Sequence, residues 1–256
     1  MKRIISLDKS VIPACDVGIN KYEEILRETA DINKVGAYKI GPALTGRPGY
    51  DKIVGLRNNY SSKPLIFDAQ KWGTDIPDTA EPILTPLRDS GIEAVILFPE
   101  SGPITEYEWI KTAQNLGLGV IVGGEMTHPR YLEEDLSEGK KKNYTEIFKE
   151  LGIERNIGGF IRQSAPEDIY EIAARMGVTD FVVPGNKPHR ITFYRELITN
   201  CGVAKPTFYS PGLVEQGGEI SEGAKAAGKR FHGIVGRGIT KAEDIRQAAL
   251  DLTMML

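Results

Sequence analysis

Eight short apolar runs alternate along the chain with longer stretches of helical period, and this alternation limits the possible folds more than any single motif does. The runs are VIPACDV (11–17), AYKIG (37–41), LIFDA (65–69), EAVILF (93–98), GVIVGG (119–124), DFVVPG (180–185), TFYSPG (207–212) and GIVGRG (233–238). Each is short, bounded by polar or glycine residues, and apolar throughout, as a strand covered on both faces must be. Between them, stretches such as NKYEEILRETADI, TEYEWIKTAQNLG and PEDIYEIAARMG carry apolar residues at spacings of three and four, the mark of a helix with one buried face. The pattern predicts an α/β fold, a single (β/α)8 barrel spanning residues 1–256; a doubly wound open sheet is the alternative. Residues 130–160 break the alternation. This oversized connection after the fifth strand contains GKKKNYTEIFKELG, read as a solvated lysine run leading into a helix outside the barrel.

Composition narrows the function. The 32 basic and 35 acidic residues are spread along 256 positions, giving a net charge of −3 and no basic field that would attract nucleic acid or an anionic membrane. No apolar run approaches the roughly 18 residues that would span a bilayer. The N-terminus MKRIISLDKS has no signal-like apolar core, so the expected location is the cytoplasm. Cys15 and Cys201 form neither a disulfide framework nor a metal cluster. His128, His189 and His232 share no ligand spacing, and no metal is expected.

A barrel of this type carries its active site at the C-terminal ends of its strands. The residues gathered there are Asp16 at the end of the first run, Lys39 in the second, Asp68, Lys71 and Asp75 at and after the third, Glu125, Thr127 and His128 after the fifth, and Gly236 and Arg237 at the eighth. Each has a structural role open to it. Asp16 could cap, Lys39 could extend to solvent, and Asp75 could cap a helix with Pro77 in its first turn. In the last third, SPGLVEQGG (210–218) and IVGRGI (234–239) place glycine-rich backbone and an arginine where barrels often bind phosphate, which predicts a phosphorylated substrate.

FDAQKWGTDIPDT (67–79) resembles the signature of the orotidine 5'-phosphate decarboxylase family: an aspartate, a lysine and a second aspartate, then Ile, a variable pair and Thr. IPACDV, YKIGPAL, GEMTHP, SPGLVEQGG and IVGRGI resemble the family's other conserved segments, in the same order. The resemblance implies decarboxylation of orotidine 5'-phosphate to UMP without a cofactor. Lys71 would be the proton donor in an alternating array of Lys39, Asp68, Lys71 and Asp75. Asp16 would bind ribose, Thr127 the pyrimidine amide, and Pro211, Gln216, Gly236 and Arg237 the phosphate region. It also implies a homodimer in which Asp75, Ile76 and Thr79 complete the neighbouring subunit's site.

The spacing departs from the family's DxKxxD: two residues separate Asp68 from Lys71 and three separate Lys71 from Asp75. In a regular strand, side chains three apart point to opposite faces, so convergence calls for a bulge near Ala69 and Gln70 or an early strand end, with Gly73 absorbing the other extra residue. Two other activities stay open. One is a Mg²⁺-dependent decarboxylase of the 3-keto-L-gulonate 6-phosphate type; the other is a barrel that binds phosphorylated ligands without turnover.

Overall fold

The computed structural model describes residues 3–68, 75–138, 143–214 and 219–256. Lys71 and Gln216 lie outside the described residues. The chain runs β1 (Lys9–Pro13), α1 (Ile19–Thr29), β2 (Tyr38–Ile40), α2 (Pro42–Thr45), α3 (Tyr50–Tyr60), β3 (Leu65–Asp68), a 3-10 turn (Pro77–Thr79), α4 (Ala80–Asp89), β4 (Ala94–Leu97), α5 (Pro103–Asn115) and β5 (Gly119–Gly123). It continues through α6 (Tyr144–Glu150), α7 (Ala165–Arg175), β6 (Asp180–Val182), α8 (Pro188–Asn200), β7 (Thr207–Ser210), α9 (Ile220–Ala227), β8 (Phe231–Val235), α10 (Arg237–Thr240) and α11 (Ile245–Met254).

The eight strands form one parallel sheet in the order β1-β8-β7-β6-β5-β4-β3-β2. Parallel bridges from Val11 to Val35 and from Ala14 to Lys39 bring its two ends together. The result is the nearly closed barrel that the alternation predicts; the open sheet is set aside. Gly36 permits the closure, because a Cβ there would lie 2.3 Å from Ser10 Oγ.

Alternation along each strand sorts the core into two layers. Inside the barrel, Ile12, Ile66, Ile96, Ile121, Val182 and Ile234 pack together, drawn from six strands. Their strand neighbours, among them Val11, Phe67, Val95, Val120, Phe181 and Val235, face outward into a larger core with the helices. On α1 the buried Tyr22, Ile25, Leu26 and Thr29 recur every three or four residues, so one helical face covers the sheet. The same period of two that turns Ile66 inward also turns Asp68 inward, and it places Lys39 on the face of Ala37.

Two strands sit earlier than their hydropathy suggests: β1 starts at Lys9 and ends at Pro13, and β8 starts at Phe231 and ends at Val235. The cause is a polar pair inside the barrel. Ser10 lies opposite His232 in the β1–β8 register, its Oγ 2.8 Å from Nδ1, and both residues are fully buried. Mutual hydrogen bonding lets polar residues occupy strand positions that an apolar pattern would leave out.

In the long connection after β5, the pair Leu132 and Ile161 forms a parallel bridge and α6 is capped by the Asn143 side chain. Arg130 holds the excursion together. Its guanidinium donates to the Ile157 carbonyl at 2.5 Å and to Glu138 Oε1 at 2.6 Å, and it lies over the rings of Tyr144 and Phe148.

Candidate active site

The C-terminal ends of the strands enclose a cavity of about 400 Å³. Its polar lining includes Asp16, Lys39, Asp68, Glu125, Thr127 and Arg237, and its apolar wall includes Ile96, Phe98, Val182 and Ile234. Most of the sequence-predicted site therefore converges here, with Pro211 and Gly236 also in the lining.

Lys39 is the electrostatic centre of the described site. Its Nζ lies 2.6 Å from Asp68 Oδ2 and 3.0 Å from Asp16 Oδ2. Its side chain is 8% exposed and that of Asp68 is 10%, whereas Asp16 is half exposed. Burial alone pulls the Lys39 ammonium towards its neutral form, but attraction to Asp68 and Asp16 outweighs it, and the pKa rises above its ordinary value. The described residues thus hold a buried cation between two carboxylates, Asp68 and Asp16. The structure describes β3 as far as Asp68; the expected bulge, Lys71 and Gly73 fall in residues 69–74, outside the described residues.

Around this centre, β1 gives way to Ala14 and Asp16 after its last pair, Pro13 with Val235, while Cys15 N donates to the Lys39 carbonyl at 2.7 Å. That switch of partner from β8 to the β2 strand brings Asp16 beside Lys39. At the far end of the chain, β8 passes through Gly236 into α10, which Arg237 opens. After β7, Pro211 leads into Gly212 and Val214, both with positive φ, at 84° and 67°. For a β-branched residue such as Val214 this backbone is strained, and strain of this kind gathers at functional loops.

Asp75, Ile76 and Thr79 lie outside the cavity lining. Asp75 Oδ1 accepts from Ile76 N at 2.7 Å, Thr79 Oγ1 donates to the Ile76 carbonyl at 2.7 Å, and Ile76 is 61% exposed. Ile76 itself precedes the 3-10 turn in the capping position, so Asp75 does not take the N-cap role open to it in sequence. The turn is pinned from below by Trp109 Nε1 on the Ile76 carbonyl and by Ser101 Oγ on the Asp75 carbonyl, each at 3.3 Å. His128 is exposed, with Nδ1 3.0 Å from the Pro129 carbonyl, and takes no part in the cavity.

Sequence reading passed over the loop after β6. Glu125, 2% exposed, is held by Lys187 Nζ and Arg190 Nε at 2.8 Å each and accepts a hydrogen bond from Tyr194. These donors outweigh the upward push of burial and hold the carboxyl below its usual range. Nothing in KPHR marks it as a partner of β5, because the contact is across strands and not along the chain. Among the described residues, no group of three His, Cys, Asp or Glu is placed to hold a metal ion, and no helix is long and apolar enough to cross a membrane.

No family model matches the chain. Known proteins do. The chain is 31% identical over 232 residues to orotidine 5'-phosphate decarboxylase of Methanosarcina barkeri, covering 90% of this chain and 88% of that protein. It is 28% identical to the enzyme of the same name from Methanosarcina mazei over 91% of this chain and 90% of that one. Among solved structures, orotidine 5'-monophosphate decarboxylase of Methanocaldococcus jannaschii, complexed with the inhibitor BMP, superposes with a TM-score of 0.75 at 22% identity, covering 98% of this chain and 99% of that one. The Pyrococcus horikoshii enzyme gives 0.68 at 20% identity, covering 96% and 98%. These structural likenesses carry the barrel; the sequence identity along nearly the whole length carries more. The chain belongs to the orotidine 5'-phosphate decarboxylase family, a family of carboxy-lyases.

Proposed function

We propose that the chain decarboxylates orotidine 5'-phosphate to UMP for pyrimidine synthesis, without a cofactor, as a cytoplasmic homodimer. The observation that carries this reading is the Lys39 ammonium held between Asp68 and Asp16 in the wall of a cavity that Thr127 and Arg237 also line. Charged groups from Lys39 and Asp68 to Arg237 in this lining suit a ligand with a charged reacting end and a phosphate.

The chemistry asks for little else. Breaking the bond between C6 and the carboxylate releases carbon dioxide and leaves an electron pair on C6 with no conjugated sink. A neighbouring ammonium stabilises that pair as it forms and then delivers a proton to the same carbon. Lys71 has this role, three residues beyond Asp68. Lys39 fixes Asp68 in place, and Asp68 and Asp75 supply the negative charge opposite the Lys71 ammonium. Transition-state stabilisation by enzymes spans about 8–23 kcal/mol, and a reaction this slow in water calls for the upper part of that range. Contacts of Arg237 and Gln216 with the remote phosphate supply part of it by holding the substrate in a closed, dry site.

Asp75, Ile76 and Thr79 act in the partner's cavity. Their place outside the lining of their own cavity, and the exposed Ile76 side chain, support this. The test is the loss of ultraviolet absorbance of orotidine 5'-phosphate with the wild-type chain, with and without excess chelator. Turnover that is indifferent to the chelator is expected; turnover that stops with it would move the assignment to a Mg²⁺-dependent decarboxylase.

A further inference from the structure

The loop after β6 grips the end of β5 at two points, on either side of Met126. Asn186 Nδ2 donates to the Thr127 carbonyl at 3.0 Å, and Lys187 and Arg190 close on the carboxylate of Glu125. Asn186, Lys187, Arg190 and Tyr194 belong to one continuous stretch entering and forming the start of α8. That stretch is itself rigidly seated. The Tyr194 ring packs edge-on against Tyr170 at 4.6 Å, and the Arg190 guanidinium lies 4.6 Å above the Tyr194 ring. Residues 125–127 are thus fixed to a helix and not left to the flexibility of a strand end.

Stability alone does not account for this arrangement. A buried ion cluster is costly to desolvate, and apolar residues of the same volume hold a fold as well or better; what such a cluster adds is a fixed position. Asn186 points the same way. Its Oδ1 is buried with no hydrogen-bond partner, a cost of the kind that proteins usually remove. The donor on the same amide is spent on the one carbonyl that sets the Thr127 backbone. Thr127 and Glu125 both line the cavity.

We infer that Glu125, Asn186 and Lys187 are positioning residues that set Thr127 against the amide edge of a pyrimidine, making the loop after β6 the element that selects a nucleotide over a bare sugar phosphate. This rests on the reading of the cavity as a pyrimidine nucleotide site. Hydrogen-bonding sites discriminate strongly because a wrongly placed or missing partner leaves buried polar groups unpaired. A Thr127 displaced by a fraction of an ångström loses that discrimination while the phosphate contacts at Gly236 and Arg237 are unaffected.

Calorimetric titration of UMP and of ribose 5-phosphate into the wild-type chain and into Asn186→Ala, Lys187→Met and Lys187→Arg tests this. The wild type is expected to prefer UMP. Asn186→Ala and Lys187→Met should each narrow the preference by about tenfold, through weaker UMP binding with ribose 5-phosphate unchanged, the size expected for one well-placed hydrogen bond. Lys187→Arg, which keeps the charge on Glu125, should restore it. A wild-type preference that survives both losses overturns the positioning role alone, as does equal weakening of both ligands. A wild type with no preference removes the nucleotide reading, and the positioning role with it.

Discussion

Lys39 shows how one side chain can be read from sequence and still depend on the fold for its meaning. Its identity is visible in YKIG, but its charge state is set by Asp68 and Asp16, one strand to either side. Replacing it by methionine removes the cation that keeps the two carboxylates fixed. The expected result is a fall in kcat/KM of about a hundredfold or more, measured on orotidine 5'-phosphate. Two further buried groups act on stability and not on chemistry. Burial holds His232 down to a pKa of about 3, below its ordinary 6.5. Between those values the unfolded chain takes up a proton that the folded chain refuses, so stability is full above about pH 6.5 and falls as pH drops towards 3, by up to about 1.4 kcal/mol per pH unit. Glu106 does the reverse: burial first, then the nearby Asp168, raise its pKa from 4.5 to about 9. The folded chain then holds a proton that the unfolded chain releases, and stability falls as pH rises from about 4.5 towards 9. Denaturant melts of Glu106→Gln between pH 5 and 8 should show a flatter pH dependence than the wild type; an unchanged slope would place the Glu106 proton elsewhere.

At the scale of the element, strands read best where they are apolar throughout and worst where the barrel buries polar pairs. β4, β5 and β7 lie where the apolar runs put them, but β1 and β8 were displaced by Ser10 and His232, whose hydrogen bond is invisible until the two ends of the barrel meet. The helix α3 is hard to read from sequence because Gly55, Asn58 and Asn59 blur its period, and because one of its inward residues is a charge. Arg57 is buried against Glu93 and the Lys63 carbonyl. The candidate site was legible in its strand-end residues, each of which sits in a short motif, and illegible in Asn186, Lys187 and Arg190, which act on a strand more than 50 residues away by bonds no pattern encodes. The long connection after β5 has its own key residue. Arg130→Ala removes contacts to the Ile157 carbonyl, Glu138 and two aromatic rings at once, and is expected to destabilise this excursion by about 2–4 kcal/mol. Hydrogen exchange confined to residues 130–160 would register it.

For the whole molecule, the proposed dimer makes each site from two chains. A chain carrying Lys71→Ala and a chain carrying Asp75→Asn are then each inactive alone, but a mixed dimer recovers one intact site in two. Random reassortment should return about a quarter of wild-type activity, the share set by half the dimers being mixed with one working site each. Recovery would be absent if both residues served their own chain's cavity. The turn that would make this exchange is braced by Trp109 and Ser101 and presents Ile76 outward.

Catalysis as proposed requires that Lys71, three residues beyond Asp68 and not two, still protonates the substrate. Following orotidine 5'-phosphate by ultraviolet absorbance with the wild-type chain and with Lys71→Ala tests it directly. Steady wild-type turnover, reduced at least about a thousandfold by the substitution while UMP binding persists, is the expected result. Tight UMP binding by a wild-type chain that does not turn over orotidine 5'-phosphate would contradict it and leave a nucleotide-binding barrel in its place.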